Sequence, residues 1–521
     1  MKKQWLVVFL LFVLSDCYSQ WQTSWRVTAD DGQHDDDYFL DMARDNSGNL
    51  FLFGNQVLTG NLYEDLLISK FDANGILLWQ QAYSRPGDRQ EFAWSAMVDQ
   101  NGDVILGGFQ KDLSNVNDIM VLKYSSSGQL LWADSLPEAN YYSDAFNNFC
   151  LDGAGNVYVT GHSQPGGGGY IQGRLIKYSP QGQLLQAMVY PWLKSVDRIT
   201  YYNGRLYVGA NTGTPSTNEH SKFYKMDLNG NILDSLTIAD ANANHINCVT
   251  AGNDGIFVVD AKSDPFGTTP SSYAIYKLDT LFNLSWTSPT SSVANHRPVK
   301  LCIMDTMVVV GSDDWSSGDA ITQIVSFGKM TGSVINQATF SSPTQTFGVL
   351  YDMYVDTQDN VIVGRVTYGN SGSVSVNQIV RFDATLQNQT ELDLPGDGNA
   401  YHLKLAPVDD FTAYVGSNVY DSLTGDSNYA LYKIHDVSQS VPDMNGRQLK
   451  AYPVPFRENL FLSNPMDQPT KWEVLNMEGQ NIACGVLQKG EYAIKLKLSA
   501  GVYILWLRNN SGQLTTKIVS E

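Results

Sequence analysis

The sequence is short of cysteine, of positive charge and of long apolar runs, and each shortage closes off a class of protein. Five cysteines are scattered through 521 residues with no metal-ligand spacing, which argues against a zinc module or a disulfide framework. Of the four beyond residue 19, three fall inside expected strands, where a free Cys packs as a small hydrophobe. Lys and Arg number 34 against 53 Asp and Glu, a net charge of −19. Residues 447–521 carry nine Lys/Arg against six Asp/Glu and the first 19 residues two Lys against one Asp, so the segment between them holds −23. A body that acidic repels phosphate backbones, and nucleic acid is not an expected partner. The apolar run Trp5–Leu14 is too short to span a bilayer, and no later segment reads as transmembrane. With Lys2 and Lys3 before it and the small Ser19 ahead of Gln20, residues 1–19 read as an export signal. Asp16, directly before Cys17, fits a lipid-modified cysteine badly. Helical stripes of 3.6-residue period are missing as well.

Glycine and tyrosine are plentiful, at 44 and 28 residues, and with Val and Thr they favour β structure. The length calls for two or three domains. A period organises most of it. In 152-DGAGNVYVTG-161 a turn leads into alternating apolar residues and a glycine. That glycine recurs as Gly54, Gly108, Gly161, Gly209, Gly311, Gly364 and Gly416, with Asp260 in the slot between Gly209 and Gly311. A basic residue inside an apolar strand keeps the same period: Lys70, Lys123, Lys177, Lys225, Lys277, Arg381 and Lys433, with only 324-IVSFG-328 departing. Each period of about 52 residues holds four strand-length runs bounded by Gly, Asn, Asp or Ser, the signature of a propeller blade.

The eighth repeat stops after its third strand, 429-YALYKI-434. Trp25 lies 13 residues before Tyr38, as Trp79 lies 13 before Phe92, so Trp21–Val27 is expected to supply the missing outer strand and close the ring. The fold class is therefore all-β: an eight-bladed β-propeller closed by the N-terminal strand, with seven blades if one weak repeat is not a true blade. The expected layout is a signal at 1–19, the propeller at 20–436, a polar linker at 437–449 and a small C-terminal β-sandwich, Ig-like in architecture, at 450–521. The repeats resemble the propeller repeats of bacterial surface proteins, whose units carry D-x-x-G-N-x-Y-x-x-G. That resemblance implies fold and location and no single activity.

The tail has Tyr452, Pro453 and Pro455, then Gly479 and Ile482, then Gly501 and Tyr503, then Lys517 and Val519. In that order these elements resemble the C-terminal sorting domain of type IX secretion substrates, with Val454 in place of the usual Asn. The resemblance implies the type IX machinery as partner and export through the periplasm of a Gram-negative bacterium. Removal of the tail would ensue, leaving the protein secreted or attached to the outer-membrane surface.

Whatever recurs in every repeat is scaffold, so the basic column is expected to lie along the blades with its amines reaching water. The Asp–Gly turns are expected to be hairpin turns. Asp99 has no Glu twelve residues on and no flanking helices, which excludes an EF-hand. The run 166-GGGG-169 comes after no strand-to-helix step and is a loop, and no nucleophile elbow or zinc-protease motif occurs. Function is expected on the variable-loop face. Counting back 17 residues from the marker glycines gives Asp37, Glu91 and Asp144, with Asp197 nearby in the fourth repeat; 15 back gives His245 and His296. Placed at the mouth of the central channel, such carboxylates could orient sugar hydroxyls, hold a divalent cation or divide acid and base roles, and the histidines could join a metal site. Tyr141, Tyr142, Trp192, Trp315 and Tyr401 offer flat apolar contacts. No cofactor is expected beyond that possible cation. The expected function is an exported, non-enzymatic module for an extracellular glycan or protein; the alternative is a polysaccharide-acting glycosidase or lyase using the mouth carboxylates.

Overall fold

Asp152 shows why the repeat turns as it does. Its carboxylate accepts from the main-chain N–H groups of Ala154 and Asn156 (both 2.9 Å), the Asn156 amide (2.8 Å) and the Tyr158 hydroxyl (3.1 Å). Gly155 takes the positive φ (79°) that completes the hairpin. The same bonds recur at Asp45, Asp99 and Asp356, so these turns are hairpin turns.

The computed structural model describes residues 21–29, 37–57, 64–85, 90–111, 116–136, 141–166, 169–212, 220–238, 243–263, 272–288, 296–314, 321–340, 347–368, 375–387, 389–394, 402–409, 412–421, 426–436, 451–452, 459–462, 469–476, 481–489, 493–499, 501–509 and 512–520. The export signal expected at 1–19 and the linker expected at 437–449 lie outside them. Within the repeat region they form eight four-stranded antiparallel sheets in chain order. Blade three, for example, is Tyr141–Leu151, Val157–Pro165, Gln172–Tyr178 and Leu184–Tyr190. In the eighth sheet Leu403–Asp409, Thr412–Asp421 and Asp426–Asp436 are completed by the N-terminal strand Trp21–Ala29. The repeat is a β-propeller of eight blades, closed by its first strand.

The core lies between blades. Phe51, Phe53 and Ile68 of blade one pack with Leu106, Met120 and Leu122 of blade two; Ile105 and Ile119 of blade two pack with Val157, Val159 and Ile176 of blade three. From blade one to blade six a polar clamp accompanies these layers, and it corrects the expectation for the basic column. Lys70, Lys123 and Lys277 are buried, and their amines reach the neighbouring blade instead of water. Lys70 and Trp79 both donate to the Ser126 carbonyl (2.9 and 3.1 Å); Lys277 and Trp286 both donate to the Lys329 carbonyl (3.0 Å each). The aromatic rings of the second strands favour this burial, since Lys70 lies 4.6 Å from the centre of Phe51 and Lys177 5.1 Å from that of Tyr158. Blade six lacks the basic residue, and its turn residue Lys329 donates instead to the Met304 carbonyl (2.8 Å) and Asp254 (3.0 Å).

The outer-strand tryptophan also fixes the neighbouring turn. At Gly128 (φ 87°) a Cβ would stand 2.8 Å from the Trp79 ring, so only glycine fits there. Trp25 stands against Gly75 of blade one at the same 2.8 Å, which makes the closing contact one more copy of the repeat.

The tail forms its own unit. Ala451–Tyr452, Asn459–Leu462 and Ala493–Lys495 make a three-stranded sheet; Asn481–Leu487, Thr470–Leu475, Gly501–Asn509 and Gly512–Ser520 make a four-stranded one. They share a core of Leu460, Val474, Ile494, Leu505 and Leu507.

Candidate ligand-binding channel

The innermost strands carry a feature that the sequence does not announce. In seven of the eight, a β-bulge inserts one unpaired residue at an equivalent place: Leu40, Trp94, Asn147, Asp197, Asn247, Val299 and Tyr351. A bulge bends its strand and re-aims the next side chain. Here the next residues are Asp41, Ser95, Asn148, Arg198, Cys248, Lys300 and Asp352, and blade eight adds Lys404 at the same level. These eight, one per blade, line a central cavity of about 560 Å³ together with bulge residues such as Trp94, Asn147, Asn247 and Tyr351, and with His402.

Ionic contacts knit half of this ring. Lys300 pairs with Asp352 (2.7 Å), and Lys404 lies 4.0 Å from Asp352 and 3.1 Å from Asp41. Burial opposes ionisation of Asp352, but Lys404 and Lys300 outweigh it and hold its carboxyl below the usual range. The Asp41 and Asp352 charges push Lys404 above the usual lysine range. His402, edge-on to Tyr351 (5.3 Å), is pushed down by burial. On the opposite side of the ring Arg198 is held by main-chain carbonyls, with Nε on Asn247 (2.7 Å) and Nη1 on Asp197 (2.9 Å). The bulged asparagines lock onto the next blade: Asn147 donates to the Val196 carbonyl (3.0 Å) and Asn247 to that of Pro298 (2.9 Å).

The expected mouth residues lie elsewhere. Asp37, Glu91 and Asp144 begin the first three innermost strands but are 1%, 1% and 2% exposed, and none lines the cavity. Alternation explains this: each stands two residues before Phe39, Ala93 or Phe146, which are buried. Glu91 accepts from the Arg85 main chain (3.0 Å) and contacts Asp65, whose own carboxyl is raised by burial. The structure does bring together Asp197 and His245. Asn211 bridges them, 2.7 Å from the Asp197 carboxylate and 2.8 Å from His245 Nδ1. Burial raises the Asp197 carboxyl, against the opposing pull of a Ser195 hydrogen bond and of His245 and Arg198. Among the described residues no group of three His, Cys, Asp or Glu is placed to hold a metal.

Trp192 is 57% exposed beside Tyr190 and apart from the cavity. Trp315 and Tyr401 lie outside the described residues, as do the side chains of Tyr141, Tyr142 and His296. In the tail, Pro453, Pro455 and Gly479 lie outside them, as do the side chains of Tyr452 and Lys517. Gly501 opens a strand, and the Tyr503 hydroxyl donates to the Ser499 carbonyl (3.0 Å).

Eight blades around a polar, ion-lined channel define a β-propeller with a built central site. Residues 450–521 match the secretion system C-terminal sorting domain, and that tail marks the chain for type IX sorting and indicates export, to the cell surface or beyond it. No helix among the described residues is long and apolar enough to cross a membrane. A search among curated proteins gives no match. Similar solved structures include a protein of unknown function from Dyadobacter fermentans (10% identity, 80% of this chain and 99% of that one, TM-score 0.40). Another is PorZ, an essential bacterial surface component of the type IX secretion system of Porphyromonas gingivalis (10% identity, 93% and 81%, TM-score 0.29). Likenesses so remote leave the role of this chain to its own geometry.

Proposed function

We propose that this protein is an exported, non-enzymatic binding module, with a signal at 1–19, the propeller at 20–436, a linker at 437–449 and the sorting domain at 450–521. It crosses the periplasm of a Gram-negative cell and acts on the surface or outside, where it holds a glycan or protein ligand at the central channel. One observation carries the binding reading over the enzymatic one: both channel carboxylates are tied to lysines, Asp41 to Lys404 and Asp352 to Lys300 and Lys404. Glycoside cleavage needs one carboxyl that keeps its proton and a second free to attack or to activate water. Asp352, held ionised between Lys300 and Lys404, has no proton to give a leaving group. The other channel carboxyl, Asp41, is itself tied to Lys404, so the pair suits orienting a ligand better than dividing the two roles.

The test is incubation of the intact chain with immobilised surface polysaccharides and surface proteins, reading both the retained fraction and new reducing ends. Retention without new reducing ends is expected. Polysaccharide turnover abolished by Asp41→Asn or Asp352→Asn, in variants of native circular dichroism, would sink the binding reading.

A further inference from the structure

The channel is cationic inside an acidic protein. Its lining holds Arg198, Lys300 and Lys404 against Asp41 and Asp352, in a chain of net charge −19. The two lysines and two carboxylates neutralise one another in one connected chain across blades six, seven, eight and one. Arg198 is the remainder. It has no ion pair among the described residues, and its Nε and Nη1 are taken by main-chain carbonyls, so the guanidinium is fixed in place with donors to spare. Its Coulombic neighbour Asp197 is engaged by Asn211 and Asn147 (2.7 and 3.4 Å). A fixed guanidinium with free donors in a concave site is a receptor for a carboxylate or another planar anion.

Two further observations narrow the ligand. Trp94, lifted from its strand by the bulge, is 48% exposed in the cavity wall and backed by Phe92 and Phe109 (5.0 and 6.4 Å). A flat ring left open in the site offers a stacking face for a sugar ring. Ser95, Asn147, Asn148 and Asn247 supply short neutral hydrogen-bonding groups at the same level. The cavity volume of about 560 Å³ falls within the range of small-ligand sites.

We propose that the channel binds an acidic saccharide, its carboxylate on Arg198, its hydroxyls on the asparagines and Ser95, and its ring against Trp94. The proposal rests on the binding-module reading and adds to it a site and a ligand class.

Calorimetric titration of the intact chain with D-glucuronate, D-glucose, acetate and inorganic phosphate tests it. Glucuronate is expected to bind about tenfold or more tightly than glucose, the value of one charge-assisted contact. Arg198→Gln removes that advantage and Arg198→Lys restores part of it, while Trp94→Ala weakens glucuronate and leaves acetate unchanged. Glucose, acetate or phosphate binding as tightly as glucuronate overturns the proposal, and so does glucuronate binding indifferent to Arg198→Gln in a variant of native circular dichroism. No heat from any of the four, with retention on a surface glycan or protein intact, overturns the channel proposal alone. Loss of both overturns the binding module as well.

Discussion

At the residue scale the turn aspartates carry much of the order of the blades. Asp152 accepts four hydrogen bonds, two of them from main-chain N–H groups that have no other acceptor in the turn. Asp152→Ala is expected to cost about 1–3 kcal/mol, read as a lower midpoint in chemical denaturation, while Asp152→Asn keeps part of it. These bonds also set the titration. Asp45, Asp152 and Asp227 all lie below the usual carboxyl range, because hydrogen bonds from the turn outweigh the effect of burial. A group lowered on folding adds stability above its unfolded value and loses it as pH falls through the folded one. Asp65, Asp134, Asp197 and Glu391 are raised, mainly by burial, and have the opposite sign, so the folded state gains as they take up protons. These carboxylates alone would raise the thermal midpoint slightly from pH 7 towards about pH 5. His162 and His402, lowered by burial, lose stability over the same span, so the midpoint is expected to stay nearly level there and to fall below about pH 4. A midpoint that kept rising below about pH 4 would contradict this assignment.

At the scale of the element, the joints between blades matter more than the strands. Lys123 is 4% exposed and bonds Asp99 (2.7 Å), Asp103 (3.5 Å) and the Pro180 carbonyl (3.4 Å) of the next blade. Lys123→Met leaves two carboxylates without their cation, and a loss of about 2–4 kcal/mol is expected in urea unfolding. The N-terminal strand is held by Trp25 against Gly75 and Tyr414 (6.0 Å), by Arg26 over Tyr432 (5.8 Å), and by the Ser24 hydroxyl on His435 (2.6 Å). Trp25→Ala is expected to lower stability by about 2 kcal/mol, less than for a fully buried tryptophan, with Trp192→Ala near neutral as its control. Equal effects from the two would mean that the strand does not close the ring as the contacts imply.

At the scale of the whole molecule, the ring was legible and its interior was not. Period, four strands per unit and closure by Trp25 could be read because each recurs, and recurrence is a strong signal in a chain of similar units. The channel is where the units differ, and there the glycine spacing slips. Gly54 lies three residues beyond Phe51, the partner of Lys70, whereas Gly209 lies two beyond Tyr207, the partner of Lys225. The marker therefore opposes the residue before the bulge in blades one to three and the residue after it in blades four, six and seven, while in the unbulged strand of blade eight it opposes Lys404. A bulge leaves no periodic trace in composition, so counting from glycine led to Asp37, Glu91 and Asp144, between the blades, and passed over Asp41, Arg198, Lys300, Asp352 and Lys404. Those residues sit in apolar strands and read as scaffold lysines and acids until the ring places them on one level.

The central claim is that the channel holds the ligand and the outer loop face does not. Retention of the intact chain on an immobilised glucuronate-terminated glycan, compared between Trp94→Ala and Trp192→Ala in variants of native circular dichroism, tests it most directly, because both side chains are about half exposed or more. The account predicts that Trp94→Ala loses retention and Trp192→Ala keeps it. Retention lost with Trp192→Ala and kept with Trp94→Ala would place binding on the loop face and contradict the account.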